Sequence, residues 1–292
     1  MSKVHKKNFP GRPVVSQIDD PTLYNMFREL TRILNPLDES GQSFIKDSFA
    51  LKDMLKEVEI QDNCRLFSLD IRSLYPKVPL WKALQCTREA LEMDQTLSGR
   101  TDWAVDDIMK LLEICLETHF KTVDGYIYTQ VDGTPIGKSI SGPLAGIYLN
   151  RFEKTYAFNE GNRFKPVFWK RSRDDIFVIW NQGDFELDCM LWYLNGIEPR
   201  IQFAIEREEN SCLPFLDLHT RRQSDRLITK VYMKETHTQR YLNWRSNHSR
   251  NCLLGIIKGL VHRAHYFCDL KEDLLDELDL LRDVFVMNGY PM

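Results

Sequence analysis

Three aspartates stand at the ends of apolar segments, and they constrain the fold more than any other feature of the chain. Asp70 lies near the end of the predicted buried strand 64–71, and Asp174 and Asp175 precede the apolar run 176–180. A carboxylate beside such strands is costly unless it is paired or bound to a metal ion. Because side chains alternate along a strand, only one residue of the Asp174–Asp175 pair can directly face Asp70. The pattern predicts a metal site clamped by one aspartate from each strand and adjusted by the third.

Carboxylate oxygens are hard ligands of the kind that Mg²⁺ prefers. Two such ions about 4 Å apart can stabilise both the attacking and the leaving oxygen of a phosphoryl transfer. A single aspartate in a loop is more often a turn or cap residue. The carboxylates alone therefore leave a metal site and ordinary turns as alternatives.

The charge of the chain is distributed unevenly. Its formal net charge is −3, which is not typical of a nucleic-acid-binding protein. Segments 161–173 and 236–268 nevertheless carry basic residues without a single acid, and an acidic segment follows at 269–283. Basic segments of this kind can bind phosphates, and an ordinary solvated surface is the alternative.

Composition disfavours several other classes of protein. Hydrophobic residues make up 43% of the chain and charged residues 28%, so an ordinary core can form. The seven cysteines include no C-x-x-C pair, which argues against a disulfide framework or a zinc site and for a reduced, intracellular protein. The sequence has no run of 18 apolar residues and no apolar run behind its basic start, so neither a membrane span nor a secretory signal is expected.

Apolar spacing and turn residues divide the chain into helices and short strands without a regular βαβ rhythm. The predicted helices cover 21–35, 43–58, 80–94, a segment capped by Thr101, 139–158, 185–194 and two segments after Asn251 that divide near Cys268. The predicted strands cover 64–71, 167–172, 176–180, 200–206, a hairpin at 121–131 and a second hairpin with strands 213–221 and 226–234. This order predicts an α+β fold with an all-helical C-terminal part.

Six segments, in order along nearly the whole chain, resemble motifs of the Penelope-like reverse transcriptases. LFSLDIRSLY at 66–75 resembles their first palm motif, GTPIGKSISGPLA at 133–145 their template- and nucleotide-contacting motif, and FWKRSRDDIFVIW at 168–180 their catalytic hairpin. LPFLD at 213–217 resembles the strand of their primer-gripping hairpin. Segments 3–16 and 234–248, the latter with GYP at 289–291, are similar to the fingers motif and to the region leading through the thumb. Each segment alone is weak evidence, but the ordered set is specific.

The resemblance implies an RNA-directed DNA polymerase that adds deoxynucleoside triphosphates to a DNA primer on an RNA template. Asp70, Asp174 and Asp175 would be the catalytic carboxylates and the ligands of two Mg²⁺ ions. The backbone carbonyl of Ile71 would also touch a metal ion. A metal nuclease using the same carboxylates is a third, weaker possibility.

Further residues acquire binding roles through the same resemblance. Arg12 and Gly137 would contact the incoming nucleotide, and Tyr75 would be a steric gate against the ribose 2′-OH. Their alternatives are a surface arginine, a helix-start glycine and a core aromatic. The resemblance also assigns nucleic-acid binding to a mixture of aromatic and positively charged residues, for some of which core packing is the alternative: Tyr241, Arg245, His248 and Arg250.

The implied architecture is a right hand. It comprises a partial, reduced fingers region at 1–62, a palm with an antiparallel sheet and finger insertions at 63–235, and a thumb-like or helix-turn-helix-like helical region at 236–292. The last two helices are expected to grip a duplex rather than to read bases. A nuclear location would follow from a retroelement's way of life. The sequence contains no GIY-YIG endonuclease, so that function would have to be supplied elsewhere.

The chain departs from the family pattern at several positions. Ser172 stands where an aromatic usually supports the primer end, Arg173 fills a variable position with a large charge, and Gly142 replaces a usual proline. No confident equivalent of a leaving-group lysine is found near 207–209. These departures leave open a truncated, catalytically inactive remnant that binds nucleic acid.

Overall fold

The computed structural model describes residues 14–15, 21–121 and 124–291, with the backbone alone at 21 and 22. Arg12 and most of the predicted fingers motif therefore lie outside the described residues. The described helices are α1 (Pro21–Glu39), α2 (Ser48–Lys56), α3 (Leu74–Lys77), α4 (Leu80–Met93), α5 (Val105–Leu116), α6 (Ser141–Phe152), α7 (Asp184–Ile197), α8 (Arg250–Phe267) and α9 (Lys271–Met287). The described strands are β1 (Arg65–Ile71), β2 (His119–Lys121), β3 (Ile127–Thr129), β4 (Phe168–Ser172), β5 (Asp175–Trp180), β6 (Phe203–Arg207), β7 (Cys212–Phe215), β8 (Leu218–Gln223) and β9 (Arg226–Val231).

A four-stranded antiparallel sheet forms the centre of the fold. Its strand order is β4-β5-β1-β6, so β1 is flanked by β5 on one side and β6 on the other. Two smaller antiparallel sheets accompany it: the hairpin β2-β3 and the three-stranded sheet β7-β8-β9. The prediction of a mixed fold with antiparallel sheets and a helical C-terminal part is confirmed.

Both faces of the central sheet are apolar, because its strands are covered on each side. Phe67 and Val178 point towards α6 and α7, where Leu149 and Leu187 belong to the same buried cluster. Alternate residues on these strands point to the opposite face and pack against α2, the β7-β8-β9 sheet and the end of α8. A third cluster joins α1, α4, α5 and α6. The two inner strands β1 and β5 thus read as nearly continuous apolar runs, because both faces are covered along most of their length.

The predicted helix 43–58 is wrong in its first part. The helix α2 begins only at Ser48, where the Asp47 side chain caps it by accepting a hydrogen bond from the Ala50 N–H at 2.9 Å. The preceding residues instead pair with the edge of the central sheet: the Arg171 N–H donates to the Ser43 carbonyl, and the Ile45 N–H donates to the Arg171 carbonyl at 3.0 Å. An exposed strand edge needs backbone partners, and this segment supplies them.

Three further boundaries differ from the predictions. The predicted strand 213–221 is two strands, because Leu216 adopts a left-handed backbone (φ 52°) and turns β7 into β8. Thr101 does not cap α5, which begins at Val105 with two aspartates in its first turn. The predicted helix 139–158 is α6 followed by a π-helical turn at Glu153–Ala157. No helix among residues 21–121 and 124–291 is long and apolar enough to cross a membrane.

A buried lysine attaches α2 to the C-terminal helices. The Lys52 ammonium is almost wholly buried and donates to Asp269, in the turn between α8 and α9, and to the Thr229 hydroxyl of β9 at 2.7 Å. Asp269 also accepts from the Thr229 N–H at 2.7 Å. Because each of these polar groups is satisfied, a charge can be buried here without a large penalty.

Lys52→Ala is therefore expected to lower the free energy of unfolding by about 2–4 kcal/mol, because Asp269 loses its charged partner and the site loses its packing. Urea unfolding followed by circular dichroism measures this value. Lys56→Ala is the matched control on the same helix, since its pair with Asp53 is exposed and such pairs contribute about 0–1 kcal/mol. Equal effects of the two substitutions would contradict the assignment.

Candidate active site

The central sheet brings Asp70 and Asp175 directly opposite each other. They are cross-strand partners in the β1–β5 register, and the Ile71 N–H donates to the Asp174 carbonyl at 2.9 Å. Directly opposed residues of an antiparallel pair have Cβ atoms about 4.5–5.5 Å apart. Asp175 is thus the member of the pair that faces Asp70, and Asp174 occupies the turn before it. Asp70 is exposed, whereas Asp174 and Asp175 are partly buried.

The surroundings of Asp175 are strongly negative. Burial raises the pKa of its carboxyl to about 6, with further increases from the charges of Asp174, Asp70 and Glu206 and a decrease from Lys234. Glu206 lies on β6, where its pairing with Ser68 places it on the same sheet face as Asp70. The predictions missed Glu206 and Lys234 as residues of this site, because Glu206 lies in no recognised motif and Lys234 lies in the segment assigned to the region leading through the thumb. Glu206 can be identified only from the strand register, which local sequence does not reveal.

The side chains at this end of the sheet are chemically suited to binding a divalent cation. It consists of carboxylates, which are hard oxygen ligands, and like charges placed directly opposite each other destabilise a sheet unless they are neutralised. Within the described part of the chain, however, no three histidine, cysteine, aspartate or glutamate side chains are gathered closely enough to form a metal site. Binding an ion would therefore require the carboxylates to draw together.

The turn between β4 and β5 fixes the position of Asp174. Arg173 has a left-handed backbone (φ 59°), and its carbonyl accepts a hydrogen bond from the Arg171 guanidinium at 3.3 Å. Ser172 is the cross-strand partner of Asp175 in the β4–β5 register. The structure therefore places a small hydroxyl side chain beside the carboxylates at the position where the sequence pattern leads one to expect an aromatic ring.

A pocket of about 420 Å³ brings together Tyr75 and Gly137, two of the three predicted nucleotide contacts. Its described lining also includes Ile136, Lys138, Ser139, Ser141, Gly142 and Arg173. Tyr75 is partly buried, and its backbone carbonyl accepts a hydrogen bond from the Thr134 N–H at 2.7 Å. Residues of the segments 66–75, 133–145 and 168–180 thus meet at one pocket.

Gly137 has a structural reason to be glycine. Its φ is +106°, and a Cβ at this position would collide with the Val15 carbonyl oxygen. The Val15 N–H donates to the neighbouring Ile136 carbonyl at 2.8 Å. At Gly137, which was predicted to contact the nucleotide, the described close backbone approach is made by the chain's own residue Val15.

Lys138 lines the same pocket, but its ammonium is committed elsewhere. It donates to the carbonyls of Cys115 and Glu117, each at 2.7 Å, and burial lowers its pKa. These bonds hold the end of α5, whose last carbonyls have no partner within the helix. Lys138 is thus a structural residue of the motif.

The four predicted nucleic-acid contacts lie in the segment before α8 and at the start of that helix. Arg245, His248 and Arg250 are exposed, and the Arg250 guanidinium lies 4.6 Å from the centre of the Trp244 ring. Tyr241 is partly buried, and its N–H donates to the Asn288 side chain at 2.9 Å. The structure thus presents three of these residues to solvent and uses Tyr241 partly to pack the segment onto α9.

Comparisons with known proteins agree with parts of this description. The model of the animal helix-turn-helix domain matches residues 240–292, the segment of α8 and α9. No curated protein sequence matches the chain.

Solved structures of similar fold include telomerase from Candida albicans in complex with the TWJ fragment of telomeric RNA, with a TM-score of 0.61 and 12% identity over 91% of this chain and 47% of that chain. Apo telomerase from Candida tropicalis has a TM-score of 0.56 and 12% identity over 91% of this chain and 49% of that chain. Telomerase from the same organism with the TWJ fragment has a TM-score of 0.52 and 13% identity over 91% and 46%. The chain spans about half the length of these telomerase chains and shares the fold of the matched part.

Proposed function

We propose that the chain is the polymerase core of a Penelope-like reverse transcriptase, an RNA-directed DNA polymerase. The observation that carries this proposal is the direct opposition of Asp70 and Asp175 on β1 and β5, with Asp174 in the adjoining turn. Uncompensated like charges at such a position destabilise the sheet, so their presence calls for a cationic ligand. The telomerase-like fold supports a polymerase, and the RNA fragments bound in two of those telomerase structures support an RNA template.

The proposed right hand follows the same division as the sequence motifs. The palm comprises 63–235 with the central sheet, 1–62 contributes to the fingers, and 236–292 forms a thumb-like region. The helix-turn-helix match at 240–292 supports nucleic-acid binding by that region. Arg245, His248 and Arg250 are exposed there and would contact backbone phosphates, whose binding weakens with salt.

The residues of the site would have different roles in the proposed reaction. Asp70, Asp174 and Asp175, with the Ile71 carbonyl, would hold two Mg²⁺ ions; bound there, these ions supply the charge neutralisation that in-line transfer to a primer 3′-OH requires. Tyr75 would limit the space beside the ribose. Arg12 would bind the triphosphate. The turn hydrogen bond from Arg171 to the Arg173 carbonyl would keep Asp174 at the end of β1.

A catalytically inactive, nucleic-acid-binding remnant is the second candidate. Ser172 leaves no aromatic side chain beside Asp175, and the described carboxylates are not gathered into a metal site. This candidate predicts salt-sensitive duplex binding without nucleotide addition. Incorporation of labelled deoxynucleotides by the purified protein on a primed RNA template, with Mg²⁺ present, distinguishes the two: templated extension supports the polymerase, and binding alone supports the remnant.

Tyr75→Ala is expected to lower discrimination against ribonucleotides by about 10–100-fold, because excluding one group sterically contributes about 1–3 kcal/mol. Tyr75→Phe retains the ring and should retain discrimination. The measurement is the ratio of kcat/KM for a deoxynucleotide to that for the matching ribonucleotide. An unchanged ratio in an active Tyr75→Ala variant would show that Tyr75 is only a packing residue.

A further inference from the structure

We infer that the Arg173 guanidinium binds the anionic phosphates of the incoming nucleotide, and that Gly142 is glycine because it leaves room for this guanidinium. The inference rests on the proposed function and adds a residue to its substrate site. It joins two departures from the family pattern, the large charge at 173 and the missing side chain at 142, into one feature.

The Arg173 backbone is held in a defined conformation. Its left-handed φ of 59° is unfavourable by about 1–2 kcal/mol for a residue with a Cβ. The Arg171 guanidinium stabilises this turn by donating to the Arg173 carbonyl at 3.3 Å. Arg171 itself is buried and fixed by its ion pair with Glu153, whose side chains are 1% and 3% exposed. The direction in which Arg173 leaves the turn is thus set by a buried, rigid support.

The Arg173 guanidinium lies directly over Gly142. A Cβ placed on Gly142 would come within 3.0 Å of the Arg173 terminal nitrogen Nη1. This distance is tighter than an ordinary contact, so a side chain at 142 would push the end of the flexible Arg173 side chain by a few tenths of an ångström. Gly142 and Arg173 both line the pocket of about 420 Å³ that also contains Tyr75 and Gly137.

Arg173 supplies the positive charge of this pocket that is not bound to backbone carbonyls; the nearby carboxyl of Asp38, whose pKa burial raises to about 6, also interacts with this charge. The described lining contains two cations, and the Lys138 ammonium is already committed to two backbone carbonyls. The Arg173 side chain is exposed. A guanidinium presents a planar fork of donors that matches phosphate oxygens in pairs. The same pocket holds the proposed ribose gate Tyr75, so a nucleoside triphosphate is the ligand that fits both ends.

The test compares Arg173→Ala, Arg173→Lys and Gly142→Ala with the natural protein. Two quantities are measured: the nucleotide KM and kcat at saturating primer and template, and the Kd for inorganic tripolyphosphate by calorimetry with Mg²⁺ present. Arg173→Ala should raise the nucleotide KM and the tripolyphosphate Kd about tenfold or more, with a smaller change in kcat. Gly142→Ala should act in the same direction with a smaller effect, because it only pushes the guanidinium aside, and Arg173→Lys should recover part of the affinity.

Matched controls separate this effect from loss of structure. Arg151→Ala removes an exposed arginine of α6, and Gly196→Ala adds a methyl group where no atom lies within 4 Å. Both should leave KM and Kd unchanged. Unchanged KM and Kd in folded Arg173→Ala, or absence of tripolyphosphate binding by the natural protein, would overturn the inference. If Arg173→Ala extends primers with an unaltered nucleotide KM, the role of Arg173 is wrong and the proposed polymerase activity stands. If the protein binds tripolyphosphate through Arg173 but does not extend primers, the role of Arg173 stands and the proposed polymerase activity is wrong.

Discussion

Asp70→Asn is expected to lower nucleotide incorporation by about 10²–10³-fold or more while raising the free energy of unfolding in metal-free buffer. Removing one group that stabilises charge in a transition state typically has an effect of that size on kcat. The gain in stability has a separate cause. Asp70 lies directly opposite Asp175, and two like charges at such positions are destabilising by about 0.2–1 kcal/mol. The burial and neighbouring charges that raise the pKa of Asp175 to about 6 indicate the same strain.

The measurement is urea unfolding with EDTA present, paired with the incorporation assay. Asp102→Asn is the matched control, because Asp102 is exposed in the loop before α5. It should change neither quantity. A purely structural Asp70 would behave differently: its removal would lower stability, and any activity lost would follow the loss of folded protein. A variant that is more stable and inactive is what a functional carboxylate predicts.

Arg171→Met is expected to lower the free energy of unfolding by about 3–5 kcal/mol, because it leaves a buried carboxylate without its cation. Glu153 is 3% exposed and accepts hydrogen bonds from the Arg171 Nε at 3.0 Å and the Trp169 indole N–H at 3.1 Å. The Ser43 hydroxyl donates to its other oxygen. This network ties the edge strand β4, the segment before α2 and the π-helical turn after α6 together.

Arg171→Met combined with Glu153→Gln should recover part of the lost stability, since the double variant buries no uncompensated charge. Arg151→Ala, which removes an exposed pair with Glu89, should change stability by less than about 1 kcal/mol. Urea denaturation of the four proteins gives these values. An Arg171→Met protein as stable as the Arg151→Ala protein would contradict the role assigned to the buried pair.

The local sequence pattern correctly predicted several helices and strands whose formation depends on nearby residues. The apolar runs predicted β1 and β5, and the alternation of side chains predicted that one aspartate of the pair would face Asp70. The helix starting at Pro21 and the break near Cys268 are also confirmed. The strands, the helix start and the break are each determined by residues within a single segment, and side-chain alternation within one strand separates Asp174 from Asp175.

The errors arose where distant residues decide the local conformation. Residues 43–45 were predicted as the start of helix 43–58, yet they pair with Arg171 because the β4 edge needs backbone partners. Leu216 breaks a predicted strand with a left-handed backbone, for which the sequence contains no glycine or asparagine signal. Gly142 and Arg173 lie far apart in the chain, so their contact is visible only in the folded structure, where both line one pocket.

The competing functions predict different consequences of the same carboxylates. A metal nuclease would cleave nucleic acid without added nucleotides and would depend on Asp174. A binding remnant would retain salt-sensitive duplex binding in every aspartate variant. Only a polymerase would show an activity that requires nucleotides, a template and Asp174 together.

The proposed polymerase activity is tested by incorporation of labelled deoxynucleotides on a primed RNA template with Mg²⁺, comparing the natural protein with Asp174→Ala. We expect templated extension by the natural protein and its loss in a folded Asp174→Ala variant that still binds the primed template. Extension that survives in Asp174→Ala, or its absence from a natural protein that is folded and bound to the template, would contradict it.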